Sequence, residues 1–154
     1  MKLAVLAFGR LRSAALRELA TDYAKRIGRY VKLETVELRE ERGDSPAARR
    51  KEAERLAAAL RDDDFWVLLD ERGPQFSSAE LAGWLRDRER AGGGSRTVFL
   101  VGGPFGVDAA VRARARLTLS PSRLTLPHEL ARVVLLEQLY RAYTILRGEP
   151  YHHA

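Results

Sequence analysis

Two short apolar runs restrict the fold of this chain more than any other feature of its sequence. Phe65–Leu69 is apolar throughout, and residues 97–101 are apolar after an initial threonine. A strand without polar residues on either face is typical of the centre of a parallel sheet, where helices cover both faces. Lys2–Phe8 and residues 31–38 indicate two further strands, and residues 117–119 indicate a short fifth one. We therefore expect a mostly parallel sheet.

Helix signals lie between these runs. Ser13 can cap one helix, and Ser45, which precedes a proline, can cap a second. Ser77 and Glu80 form the capping-box pattern that begins a third helix. The predicted apolar faces are Leu16, Leu19, Tyr23 and Ile27 in the first helix and Ala53, Leu56, Ala57 and Leu60 in the second. The alternation of strands and helices predicts one α/β domain over residues 1–154, with helices on both faces of the sheet.

A glycine-rich segment, Gly102-Gly103-Pro104-Phe105-Gly106, directly follows the apolar run at residues 97–101. Glycines at this point let backbone amides approach a ligand closely, at the carboxyl edge where α/β sheets bind ligands. A tight turn is an equally good interpretation of the segment taken alone. The segment matches neither the dinucleotide-binding pattern nor the phosphate-binding loop of nucleoside triphosphatases. Ordinary sites for those two ligand classes are therefore disfavoured.

The C-terminal part of the chain predicts one long helix, over residues 127–147. At about 100° per residue, its apolar side chains fall on one arc that also contains His128 and Arg132. An arginine in an apolar stripe is costly unless it is paired. Arg132 therefore either pairs with a carboxylate or binds an anion or carbonyl in a ligand pocket. The opposite half is too apolar for a solvated face and suggests a subunit interface. It contains Leu130, Val133, Val134, Glu137, Gln138, Tyr140, Arg141, Thr144 and Ile145.

Composition narrows the chemistry. The chain has no cysteine and only three histidines, which excludes disulfides and thiolate sites and, without a His-Glu-x-x-His pattern, disfavours a metal site. No apolar run approaches the roughly 18 residues that cross a bilayer, so we expect a cytoplasmic protein without a membrane partner. The net charge is +6, and 23 of the 27 basic residues are arginine. This excess fits a polyanionic partner, and a GC-rich genome would produce it equally well.

Five linked motifs give the sequence a specific resemblance. They are Val101-Gly102-Gly103-Pro104-x-Gly106, Leu124-Thr125-Leu126-Pro127-His128, Arg132-Val133, Glu137-Gln138-Leu139-Tyr140-Arg141-Ala142 and Pro150-Tyr151-His152. In order, spacing and total length the chain resembles the bacterial 23S ribosomal RNA pseudouridine-N3-methyltransferase family of the SPOUT superfamily. Two places depart from the family: Phe105 stands where a polar residue is more frequent, and no basic residue follows the Tyr151-His152 pair.

The resemblance implies a parallel α/β sheet whose C-terminal part is threaded as a trefoil knot. It also implies a homodimer with active sites at the dimer interface, and methyl transfer from S-adenosyl-L-methionine to N3 of a pseudouridine in assembled ribosomes. Carried over by position, the cofactor-binding residues are Leu69, Gly102, Pro121, Ser122, Arg123, Leu124, Thr125 and Leu126. The candidate catalytic residues are His128, Arg132, Tyr151 and His152, and Arg141 is a candidate for RNA binding. No metal is required.

Two other functions fit the sequence less well. The same fold can methylate a transfer RNA or another base, because few residues decide the substrate. A ribosome-binding module without catalysis is the second, and the intact glycine-rich segment and residues 121–126 argue against it. The tail after Gly148 is either a frayed end or a functional segment that brings Tyr151 and His152 to the substrate.

Overall fold

The computed structural model describes residues 1–92 and 94–153, in which strands and helices alternate along the chain. The strands are β1 (Lys2–Phe8), β2 (Lys32–Leu38), β3 (Phe65–Leu69), β4 (Arg96–Val101) and β5 (Leu117–Leu119). The helices are α1 (Ala14–Ile27), α2 (Pro46–Ala59), α3 (Ser78–Ala91), α4 (Ala109–Arg114) and α5 (His128–Leu146). Ser13, Ser45 and the Ser77–Glu80 capping box begin α1, α2 and α3, as predicted.

The five strands form one parallel sheet in the order β2-β1-β4-β3-β5. The apolar runs that became β3 and β4 lie inside it, each between two neighbours. β2 lies at an edge, where Lys32, Thr35 and Glu37 are exposed and the other residues are half-buried, which explains its mixed sequence. The predicted α/β fold with a parallel sheet is therefore confirmed.

Helices cover both faces of the sheet. Leu3, Val5 and Ala7 of β1 belong to the larger core, together with residues of α1, α3 and α5. Leu6 and Phe8 point the other way, into a smaller core that includes residues of α2 and α4. α5 lies between α1 and α3 and packs on both. The apolar arc of α5 therefore packs in the core of its own chain.

Two details of the predicted helix faces are wrong. Leu19 is 45% exposed, and Ala20 is buried instead. Ala20 follows Leu16 by four residues and so lies on the same side of α1, the side that packs in the core. In α2, Ala57 is exposed while Arg49 and Glu52 are buried. The two charged residues form an ion pair, with 3.3 Å between Arg49 Nη1 and Glu52 Oε1, although Glu52 Oε1 and Arg49 Nε make no hydrogen bond. Glu52 also accepts a hydrogen bond from the backbone of Glu41.

A buried ion pair holds the start of β4. Arg96 donates to both carboxylate oxygens of Asp64, at 3.0 and 2.6 Å, and also contacts Glu34 at 3.3 Å. Burial alone would raise the pKa of Asp64. The hydrogen bonds from Arg96 and from the backbone of Arg61 outweigh burial, so this pKa lies below its ordinary value. The pair fixes β4 at the end of the strand remote from the glycine-rich segment.

Candidate active site

A cavity of about 400 Å³ opens at the carboxyl edge of the sheet, beside the ends of β3 and β4. Three loops and the start of α5 line it. The lining consists of residues 68–72, residues 101–107 except Phe105, residues 121–126 except Arg123, and Arg112, His128 and Ala131. The volume lies in the usual range for small-molecule sites, about 300–1,000 Å³. Parallel sheets bind ligands at this edge, so the cavity is the candidate active site.

The glycine-rich segment forms a tight turn that is also a wall of the cavity, so its two interpretations are compatible. Gly106 N donates to Gly103 O at 3.1 Å, and Gly106 has a φ of +79°, which favours glycine. A Cβ on Gly102 would lie 3.1 Å from Val107 Cγ1. Glycine at 102 therefore lets the turn fold back on the end of β4, and the cavity wall there is bare backbone.

The loop after β3 forms the second wall. Asp70 accepts from the backbone of Arg72 at 3.0 Å and pairs with the side chain of Arg112. The loop then lies directly against β5, where a Cβ on Gly73 would be 2.7 Å from Thr118 Cγ2. Because the carboxylate of Asp70 is already paired, it helps to fix the wall and leaves little charge for a ligand.

The third wall is the segment between β5 and α5. Ser122 organises it, since Leu124 N donates to Ser122 Oγ at 2.9 Å. Thr125 Oγ1 donates to Glu71 Oε2 at 2.8 Å, which joins this wall to the loop after β3. Leu124 is 77% exposed, although it lines the cavity. An apolar side chain so open to water at a cavity mouth is available to cover a ligand.

The structure brings together seven of the eight residues expected to bind cofactor. Leu69, Gly102, Pro121, Ser122, Leu124, Thr125 and Leu126 line the cavity. Arg123 is exposed and does not line it. Asp70, Arg72 and Arg112 line it as well, although none of them was predicted as a site residue. Asp70 directly follows a buried strand, which was an available signal. Nothing local marked Arg112, which a different helix supplies.

The four candidate catalytic residues do not meet in one chain. His128, the first residue of α5, lines the cavity. Arg132 does not, and its Nη2 donates to Glu37 Oε2 at 2.9 Å while its Nη1 donates to Gly9 O at 3.3 Å. The carboxylate pairing that the sequence left open is therefore present. These two partners within the chain compensate the desolvation of the Arg132 guanidinium.

The tail folds back on α5 instead of fraying. Tyr30 donates to Glu149 at 2.6 Å, and this hydrogen bond raises the pKa of Tyr30 to about 12. Tyr151 packs edge-on against Tyr140, with ring centroids 4.7 Å apart. Its hydroxyl donates to Glu137 at 3.1 Å.

Arg141 links the tail to the helix. Its Nε donates to Glu137 at 2.9 Å, and its Nη1 lies 3.2 Å from His152 Nδ1. The hydrogen bond with Glu137 raises the pKa of Arg141. Nine residues of α5 separate Glu137 from His128, about 14 Å along the axis. Tyr151, His152 and Arg141 therefore form a group remote from the cavity of their own chain.

Two other kinds of site are absent from residues 1–92 and 94–153. No three histidine, aspartate or glutamate side chains there are grouped to hold a metal ion. Within the same residues, no helix is long and apolar enough to span a bilayer.

Comparison with known proteins supports the resemblance. A family described as "Predicted SPOUT methyltransferase" matches residues 1–152. The chain is 47% identical to the ribosomal RNA large subunit methyltransferase H of Gloeobacter violaceus, over 99% of both chains. It is 49% identical to the protein of the same name from an Anaeromyxobacter species, again over 99% of both chains. The relative from Geotalea daltonii is 46% identical over 99% of this chain and all of its own.

Among solved structures, the fold is similar to that of a probable methylase family protein from Haemophilus influenzae Rd KW20. The TM-score is 0.53 at 12% identity, over 95% of this chain and 66% of the other. At this identity the likeness concerns the fold alone. The family matches residues 1–152, and the relatives are similar over nearly their whole length. The chain therefore belongs to the SPOUT methyltransferase family.

Proposed function

We propose that this methyltransferase transfers the methyl group of S-adenosyl-L-methionine to N3 of a pseudouridine in 23S ribosomal RNA of assembled ribosomes. One observation carries the proposal: seven residues predicted from the family pattern line a single cavity at the carboxyl edge of the sheet. The names of the full-length relatives support a large-subunit ribosomal RNA as the substrate. Such an enzyme works where ribosomes are, in the cytoplasm.

The cavity fits the cofactor. Its glycine turn presents backbone without side chains at Gly102 and Gly103, so the flat adenosyl part can lie close to amides and carbonyls. Leu124 at the mouth can cover an apolar face. Ser122 and Thr125 fix the third wall through their hydroxyl groups. When bound, the cofactor supplies an electrophilic methyl on a sulfonium, so the protein contributes mainly position.

Of the candidate catalytic residues, His128 is the one that lines this cavity. A pseudouridine must lose the proton on N3 before or during methyl transfer, and a neutral imidazole can accept it. Tyr151 suits a different role. A phenol is protonated at neutral pH, and burial and hydrogen bonds with Tyr23 and Glu137 raise the pKa of Tyr151 further. Tyr151 therefore cannot readily accept a proton. It could donate a hydrogen bond to a base by exchanging its present partner Glu137.

A homodimer would bring the remaining candidates to the site. The tail of one chain lies about 14 Å along α5 from its own cavity, so it is better placed to serve a partner's cavity. Val133 and Thr144, which the sequence placed on the predicted subunit interface of α5, are buried within the chain. They are therefore not part of the interface that we propose. Leu130, Val134, Tyr140 and Ile145 remain half-buried or exposed on α5. These four side chains form the face on which we propose that a second copy packs.

A trefoil knot is part of the same proposal. Residues 119–120 lie along the loop after β3, where Ser120 N donates to Pro74 O at 2.8 Å and Asp70 N donates to Leu119 O at 3.1 Å. The chain then passes Glu71, through the hydrogen bond from Thr125, before α5 begins. These hydrogen bonds support the proposal because they hold the segment beside the earlier loop through which it would be threaded; such knots are rare among folds.

Calorimetry with S-adenosyl-L-methionine, followed by methylation of purified ribosomes, tests the function. We expect micromolar cofactor binding and one N3-methylated pseudouridine, which mass spectrometry of the nucleosides and primer extension would identify. Methylation of transfer RNA but not ribosomes would move the enzyme to the alternative substrate. Ribosome binding without cofactor binding would support the non-catalytic module.

A further inference from the structure

Phe105 is an exposed aromatic side chain at the mouth of the cavity. It lies at the tip of the turn between Gly103 and Gly106, and 49% of its surface is accessible to solvent. Its neighbours Pro104 and Gly106 both line the cavity. Neither the turn nor the core requires an aromatic ring here, because Phe105 has no positive φ and belongs to neither buried cluster. The ring therefore lies on the rim of the site and is not part of the hydrophobic core.

A fixed cation supports one side of this ring. The guanidinium carbon of Arg49 lies 5.4 Å from the ring centroid of Phe105, within the range of a cation–π contact. Arg49 is only 8% exposed. It donates to Gly43 O at 3.0 Å and lies 3.3 Å from Glu52, so its position is set from α2 and the loop before it. The contact steadies the ring and leaves its remaining surface open.

An open aromatic face beside a cationic side chain is an arrangement that binds unpaired nucleobases. Arg49 is the cation in contact with this ring, and Arg50, the next residue of α2, is exposed to solvent. We propose that Phe105, supported by Arg49, is a stacking site for an unpaired base next to the target nucleotide. The inference rests on the proposed function, since it assumes an RNA substrate at this cavity. It assigns Phe105 to the RNA, not to the cofactor.

Stacking predicts that the flat ring matters more than apolar size. Phe105→Leu keeps an apolar side chain and removes the π face, whereas Phe105→Tyr keeps the face. We expect Phe105→Leu to lower kcat/KM for ribosomes by about 5- to 100-fold, the range for loss of one base stack. Phe105→Tyr should stay within about twofold of wild type, and cofactor affinity should stay unchanged in both. Leu19→Ala removes a similarly exposed side chain from α1 and serves as the control.

The experiment measures, for each variant, methylation of ribosomes, ribosome affinity by filter binding, and affinity for S-adenosylhomocysteine by calorimetry. Equal kcat/KM for Phe105→Leu and wild type would overturn the inference. If Phe105→Leu lowered the affinity for S-adenosylhomocysteine as much as it lowers kcat/KM, the inference would be overturned too, because the ring would then belong to the cofactor pocket. If wild type binds ribosomes but does not methylate them, the proposed function fails, and the affinity ratio between Phe105→Leu and Phe105→Tyr still decides the stacking site.

Discussion

Gly73 offers the most direct test of how the walls of the cavity are held together. It lies in the loop after β3, and its backbone φ is not in the left-handed region, so an alanine there would be strained only by lack of space. That space is absent. An added Cβ would lie 2.7 Å from Thr118 Cγ2, 3.1 Å from the carbonyl carbon of Thr118 and 3.2 Å from Asp70 O. The loop and β5 would have to move apart.

Overpacking of this kind costs about 1–3 kcal/mol. For a chain of 154 residues, each kcal/mol lowers the melting temperature by roughly 2–4 °C. Gly73→Ala should therefore melt about 2–12 °C below wild type, with a matching fall in the urea midpoint. Because the same loop lines the cavity, affinity for S-adenosyl-L-methionine should fall as well.

Gly83 provides the matched control, because an added Cβ in α3 would meet only Arg86 Nη2, at 3.8 Å. Gly83→Ala should raise stability by about 0.5–1 kcal/mol. Thr118→Ser removes the nearest clashing atom, so the double variant with Gly73→Ala should recover part of the loss. A melting temperature for Gly73→Ala at or above wild type would refute the close approach of the loop to β5. Full additivity of the two changes would show that Thr118 is not the obstacle.

Three further predictions follow from charge and interface. Methylation of ribosomes should fall steeply as salt rises, because neutralised phosphates release counterions; a flat response would favour genome composition as the source of the arginines. Tyr140→Asp or Ile145→Asp should split or unfold the proposed dimer, and sedimentation of a monomeric wild type at micromolar concentration would contradict it. Asp64→Asn should cost about 3–5 kcal/mol in urea unfolding, because it leaves Arg96 buried with a weakened partner. Since the folded pKa of Asp64 is lowered, its contribution is present above about pH 4 and lost as the pH falls below it, so the variant should lose less stability on acidification than wild type does.

The sequence predicted most of the fold because its signals were local. The wholly apolar β3 and the serine caps are properties of adjacent residues, and both reappear in the structure. The inner position of β3 and β4 was also predictable, because both strands are largely apolar on both faces. The errors arose where one helix faces both core and solvent. Leu19 was predicted to share the buried face with Leu16, Tyr23 and Ile27, although Ala20 is buried instead.

Only part of the site could be predicted from the sequence, because some of its residues are brought together by contacts between distant elements. Leu69, Gly102 and residues 121–126 carry a pattern along the chain, and the structure brings all of these except Arg123 to the cavity. Arg112 lines it from α4, and its pairing with Asp70 joins two elements that are far apart in sequence. Arg132 has a pattern that suits a ligand, yet its partner Glu37 comes from β2, 95 residues away. Which carboxylate pairs with an arginine is decided by tertiary contacts and cannot be predicted from local sequence.

Removing residues 151–154 tests what the tail does. The deletion loses the Tyr151–Tyr140 contact, about 1 kcal/mol for an aromatic pair, and the hydrogen bond from Tyr151 to Glu137, about 1 kcal/mol more. It also loses the contact between Arg141 and His152 and retains the Tyr30–Glu149 hydrogen bond. The melting temperature should therefore fall by about 4–8 °C, and cofactor affinity should be nearly unchanged. Methylation of ribosomes should fall at least about tenfold, on the order of 1.4 kcal/mol in the transition state. Near-normal turnover would mean that the tail is only a packed end.

Mixed dimers then decide whose cavity the tail serves. One subunit carries the deletion with an intact cavity, and the other carries His128→Ala with an intact tail. If the tail reaches the partner's cavity, each mixed dimer holds one complete site, because the intact tail and the intact cavity meet across the interface. Random mixing makes half of the dimers mixed, so activity should recover to about a quarter of wild type. If the tail serves its own cavity, no mixed dimer contains a complete site and activity stays at the level of the separate variants. The 14 Å or so between the tail and His128 along α5 favours the first result.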